Sequence, residues 1–382
     1  MRKCTKLIIL PLLFLVIISA SACSVNGKDD AINFWIDARE QAIKSGDIEA
    51  YMQTVNADNY YLYNEEFNLI SSLDAGELSS ISVTASPVRN EEDAAVYKIT
   101  QQYEYRGQDY RCSYNAHFIK DSGRLVYNGM ESEMLSSGSA QVHYPDGYRD
   151  SAKGYASAVK YYLEKLNEVY AYSPDPEICI RIFDDHDVFL QSVKFDLPKW
   201  VGGWHEYGES VKIFVPGQHT AVYPEMIYHE CSHRFLSEIT NDNASYWMQE
   251  GFATLMETAI PTGLANIEFL YNNDIEGLKA AESLWKFGDF VEVNLEELSD
   301  PVQVTGYYSL SALCVEHIMD IMGIEDFLAV MSRMKENPQI HKTASEKIGV
   351  TNDLTIACIS KRLGMAENDF YSLMDEFIDI YR

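Results

Sequence analysis

The sequence predicts an α+β protein in two parts: a small N-terminal domain of helices followed by an antiparallel sheet, then a larger domain ending in helices. Three observations carry this. Apolar residues recur with a helical period between Asp30 and Val55. They recur with a period of two between Ala94 and Phe118. Beyond Tyr246 the apolar pattern is helical almost to the end of the chain.

The first 22 residues have a basic start, Arg2-Lys3, a continuous apolar run from Leu7 to Ile18, and a small-residue ending, Ser19-Ala20-Ser21-Ala22. That is the pattern of a secretory signal peptide, and the run is too short for a spanning helix. Ala20-Ser21-Ala22-Cys23 resembles a bacterial lipobox, which implies a lipid anchor on Cys23, with residues 23–30 as a polar tether. Plain secretion with Cys23 unmodified is the alternative. Loss of Arg2, Lys3 and Lys6 would take the formal charge from −28 to −31. So acidic a chain is not expected to bind nucleic acid, because phosphate neutralisation needs Lys and Arg. Cys112, Cys179, Cys231, Cys314 and Cys358 are scattered, odd in number and set in apolar patterns, and are expected as buried thiols.

Residues 31–134 make the first domain. Ile32, Trp35, Ile36, Arg39, Ala42 and Ile43 trace one helical stripe, and Gly46-Asp47 breaks it before a second helix from Ile48. Tyr97, Ile99, Gln101, Tyr103 and Tyr105 then share one strand face, and Tyr110, Cys112, Tyr114, Ala116 and Phe118 share another. Arg124 to Asn128 adds a short strand. This order is similar to the NTF2-like cone fold, which often holds a ligand pocket; a tyrosine-rich face packed on its own helices is the plainer expectation. Leu135-Ser136-Ser137-Gly138-Ser139-Ala140-Gln141 is expected as a linker, and residues 142–382 as the second domain.

In that domain Ser151 to Tyr172 reads as a helix, and Ile178–Phe183 and Val211–Val215 as buried strands joined through a turn at 202–208. Next comes His229-Glu230-Cys231-Ser232-His233, an H-E-x-x-H pattern. Pro224 suits a first helical turn, and residues four apart share a helix face, so both imidazoles can reach one zinc ion while Glu230 accepts a proton from water. By chance the pattern arises on the order of once or twice in a hundred such chains, so a third ligand matters. Glu250, in Trp247-Met248-Gln249-Glu250-Gly251-Phe252-Ala253, supplies one: 16 residues let one helix end and another return.

The two motifs together resemble the gluzincin metallopeptidases, in particular the peptidase MA-like branch. The resemblance implies a zincin-type domain with a helical C-terminal lobe. It also implies Zn2+ on His229, His233 and Glu250, with Glu230 as general base. In that group an edge strand before the zinc helix lies antiparallel to the bound peptide, and Val211–Val215 is the candidate. A tyrosine at the start of a later helix faces the zinc, aligning with Tyr308 as oxyanion donor; Tyr307 is the adjacent competitor. Arg234 departs from the usual uncharged residue after the second His. The absence of a G-x-M-E-N-like stretch argues against a true neutral zinc aminopeptidase. Asp300-Pro301 is read as a break before that helix, and His317 as a partly exposed residue on it.

The expectation is an extracytoplasmic, membrane-anchored zinc metallopeptidase, its peptide or protein substrate carried by the resemblance alone. The rival is a non-catalytic surface lipoprotein that binds a peptide or small ligand.

Overall fold

The structure, a computed structural model, describes residues 29–121, 123–170, 173–174, 177–217, 222–262, 285–340 and 344–380. The leader and Cys23 lie outside them. No helix among the described residues is long and apolar enough to cross a membrane.

Helices α1 (Asp29–Ser45), α2 (Ile48–Met52) and α3 (Tyr60–Ser71) precede the first sheet. The Asp47 carboxylate caps α2 by accepting from Ala50 N at 3.0 Å, which makes Gly46-Asp47 the break its sequence suggests. The sheet is antiparallel, in the order β1 (Leu78–Asn90), β2 (Ala94–Tyr105), β3 (Gln108–Asp121), β4 (Arg124–Met130). Its inner face, with Val83, Tyr97, Ile99 and Phe118, packs on Trp35, Ile43, Leu62 and Ile70. Trp35 meets Phe118 edge-on, ring centres 4.9 Å apart. Part of the tyrosine face turns to the second domain: the hydroxyl of Tyr103 donates to the carbonyl of Phe195 at 2.7 Å, and their rings meet edge-on.

Residues 135–141 are not a linker. They form most of a hairpin, β5 (Glu133–Ser137) with β6 (Ala140–Tyr144), and the change of sheet falls between Met130 and Glu133. The small residues supply the hairpin turn, with Gly138 at positive φ, while Ala140, Val142 and Tyr144 bury one face of β6.

The second sheet adds β7 (Ile178–Phe183), β8 (Gly203–Trp204) and β9 (Val211–Phe214), in the order β5-β6-β7-β9-β8. β6, β7 and β9 run parallel, the outer strands antiparallel to their neighbours. Val211–Phe214 is therefore second from the edge, and the short Gly203–Trp204 strand, expected as part of a turn, is the edge itself. Helix α4 (Arg149–Tyr170) crosses from β6 to β7 and buries Tyr155, Tyr162 and Leu166. Helices α6 (Pro224–Thr240) and α7 (Tyr246–Thr262) follow, with a short α5 (His186–Gln191) earlier in the chain. After the break expected at Asp300-Pro301, the next helix starts at Pro301 itself. The proline occupies the first turn of Pro301–Met322, capped by Asp300, whose carboxylate accepts from Val302 N at 3.0 Å. Helices Ile324–Lys335, Ala344–Leu363 and Glu367–Asp379 complete the lobe.

Candidate metal centre

The local sequence explains why α6 and α7 lie together. Phe235 on α6 meets Phe252 on α7 at 5.7 Å, and Phe252 stacks on Phe327 of the C-terminal lobe at 6.1 Å. Trp247 is fully buried against Phe287. Gly251 permits the closest approach: a Cβ there would lie 2.2 Å from the carbonyl oxygen of Ser311. The reversal between the helices uses Asn241 and Asp242, both at positive φ. Asn241 and Asn243 anchor it by donating to the carbonyl of Asn337 at 3.0 and 3.1 Å.

This packing brings His229, His233 and Glu250 to one point. The two imidazole Nε2 atoms are 3.0 Å apart, and Glu250 Oε2 lies 3.3 Å from that of His229 and 3.5 Å from that of His233. Three donor atoms about 2.05 Å from a tetrahedral zinc would be about 3.3 Å from one another. The donor set, two imidazoles and one carboxylate, fits the same ion. Among the described residues these three are the group of metal-ligating side chains close enough to share an ion.

Glu257 was not anticipated. Its Oε1 lies 2.5 Å from His229 Nδ1, so Nδ1 keeps its proton and Nε2 is the nitrogen turned toward the other donors. It stands seven residues after Glu250, two helical turns further on the same face, and that spacing was the available signal. Burial opposes a charge on His229, yet the hydrogen bonds its ring donates to Glu250 and Glu257 hold its pKa well above the ordinary value. Glu250 is held at about 2: burial works against its ionisation, but His233 and His229 overcome it. The site is arranged around positive charge.

Glu230 is buried and pushed up to about 7 by that burial, with the two imidazoles pulling the other way. The edge strand passes directly over it: a Cβ on Gly203 would lie 2.3 Å from Glu230 Oε1. Both line a cavity of about 100 Å³ together with His229, His233, Glu250 and Tyr308. The ring of Tyr308 is 5.9 Å from that of His229. Burial, followed by Glu250 and Glu230, raises its pKa well above the ordinary value, so its hydroxyl remains a donor. Tyr307 instead packs fully buried against Phe290 at 5.1 Å. His317 is half-buried and stacked on Phe377, outside this cavity. Cys231 is buried in the apolar core, and it and the other four described cysteines are free thiols. Arg234, buried, bonds Glu238 at 2.8 Å and so spans one turn of its own helix.

No protein-family model matches the chain, and no curated protein matches it. Among solved structures, an M1 zinc metallopeptidase from Deinococcus radiodurans aligns at 12% identity with a TM-score of 0.35. A point mutant of that enzyme bound to a Tyr-Ser-Ala substrate aligns at 14% identity with a TM-score of 0.34. Each alignment covers 80% of this chain, which spans about three fifths of their length (61%). This is a distant likeness, and the chemistry of the site follows from its own geometry.

Proposed function

We propose that the chain is a zinc-dependent metallopeptidase of gluzincin type, hydrolysing peptide bonds outside the cytoplasm and held at a membrane by a lipid on Cys23. The observation that carries the hydrolase part is the convergence of His229, His233 and Glu250 beside the buried carboxyl of Glu230. When bound there, zinc supplies a Lewis acid that acidifies water and polarises a carbonyl. Glu230 takes the proton of the attacking water on its carboxylate and returns it to the leaving amine. The Tyr308 hydroxyl donates to the oxyanion that develops on the former carbonyl oxygen. Gly203–Trp204 lines the cavity as a sheet edge, which suits an extended peptide added as a further strand. The helices-then-antiparallel-sheet order of the first domain supports an NTF2-like assignment for it.

One feature favours the rival, a non-catalytic lipoprotein that captures a peptide or small ligand. A cavity of about 550 Å³ lies between the two sheets, lined by Glu66, Tyr114, Tyr127, His143 and Arg181. Zinc content and cleavage of a mixed peptide library, before and after chelation, separate the two. The expected result is one zinc per chain and chelator-sensitive hydrolysis. Glu230→Gln should keep the zinc and lose at least about 10²-fold in rate. Hydrolysis unchanged in zinc-loaded Glu230→Gln would reject this mechanism.

A further inference from the structure

We infer that one face of α3, in the N-terminal domain, sets the position of the catalytic cavity's wall, which makes Asn64, Glu65 and Asn68 positioning residues for the proposed hydrolysis. Tyr61, Asn64, Glu65 and Asn68 follow the spacing of a single helix face. All four bond to the second domain. Asn64 Nδ2 donates to the carbonyl of Gly208 at 3.0 Å, and Asn68 Nδ2 donates to Glu209 Oε1 at 2.8 Å. Glu65 Oε1 accepts from the backbone N of Ser210 at 3.3 Å and from Arg181 Nε at 3.1 Å. The Tyr61 hydroxyl accepts from Arg234 Nη1 at 3.3 Å, one residue beyond His233 on the motif helix.

Three consecutive residues, Gly208, Glu209 and Ser210, are thus each held by α3. The three before them, His205, Glu206 and Tyr207, line the cavity with Glu230 and His233. Before those stands Gly203, against the Glu230 carboxylate. The wall is therefore fixed at one end by β8–β9 pairing and at the other by a helix of the neighbouring domain. Between Trp204 and Val211 there is no strand pairing, so the wall's placement depends on the bonds from α3 together with the buried ion pair of Glu209 with Lys212 at 2.9 Å, which leaves Gly208 and the second Glu209 oxygen to the α3 asparagines. The rest of the interface does not depend on the two asparagines, since Tyr103–Phe195 and Arg106–Asp196 hold elsewhere. Their loss should act locally.

The test is the double variant Asn64→Ala, Asn68→Ala in the full chain. Hydrogen exchange of residues 203–210 should rise about tenfold while residues 225–240 keep their rates. KM for a peptide substrate should rise about tenfold, with kcat within about twofold and zinc content unchanged. Asn68→Gln, which keeps the amide donor, should recover most of the effect of Asn68→Ala. Unchanged exchange at 203–210, unchanged KM in an active enzyme, or exchange rising equally across both segments overturns the inference. If the double variant fails to fold, the single variants decide by the same exchange measurement. A wild-type protein without peptidase activity would refute the proposed function, and the exchange rates would still decide whether α3 holds the wall.

Discussion

His229 Nδ1 lies 2.5 Å from Glu257 Oε1, two helical turns beyond Glu250 on α7, so one helix supplies both the third donor and the group that orients the first. Outer partners of this kind hold the ring in place and raise its basicity. Glu257→Gln should weaken zinc binding about 10- to 100-fold while the fold stays intact. Competition with a chelating fluorophore measures this, and an unchanged affinity would show that Glu257 does not orient the ring.

Gly203 meets Glu230 without a side chain of its own. In Gly203→Ala the new Cβ would stand 2.3 Å from Oε1 and 2.9 Å from Cδ, so the strand or the carboxylate must move. Misplacing a reacting group by an ångström can cost about 10²-fold, and hydrolysis should fall by that order with zinc retained. Equal kcat/KM in zinc-matched samples would mean that Glu230 has room to shift harmlessly.

In the metal-free protein the stability contributed by Glu230 should grow as pH falls from about 8 toward 5, while His143, lowered by burial to about 4, and His205, lowered well below its ordinary value by burial, oppose it below 6.5. Glu230 is raised by burial to about 7 from an ordinary 4.5, so the folded state holds its proton more tightly than the unfolded chain. Folding therefore gains as pH drops through that window and loses as it rises. Glu209 and Glu316, raised by burial to about 7 and about 8, act in the same sense. His229, raised by its carboxylates, contributes fully below 6.5 and loses that contribution as pH rises through its higher folded value. Glu250 has the opposite sign: its contribution is present above 4.5 and is lost as pH falls toward 2. Urea midpoints across pH 4.5 to 8 should show the wild-type chain gaining on Glu230→Gln as pH falls. An identical slope in the variant would place its origin in the other groups.

The anchor is tested by fractionation. Cys23→Ser should move the protein from the membrane fraction to the medium, because no described helix can span a bilayer. Continued membrane retention would exclude lipidation of Cys23 as the tether.

The sequence by itself determined the parts whose physics is local. H-E-x-x-H puts two imidazoles on one helix face wherever that helix packs, and Gly46-Asp47 breaks a helix through its own capping bond. Period-two alternation in β2 and β3 needs only one buried face. Helix α3 and strand β1 were not legible in the same way. Glu65 and Glu66 interrupt the apolar stripe of α3, and their partners, Arg181 and Arg39, lie 116 and 27 residues away. Serine and threonine on the outward face of β1 gave a polar composition that reads as loop. Residues 135–141 look like a linker because small residues suit both a linker and a hairpin turn, and only pairing with β7 at one side decides between them. Tertiary structure alone chose Gly203–Trp204 over Val211–Phe214 as the sheet edge and Tyr308 over Tyr307 as the phenol in the cavity, and it made Glu257, marked in sequence only by its spacing from Glu250, the partner of His229. Each of these choices depends on which surfaces of distant segments come into contact, and that is a property of packing, not of any window of sequence.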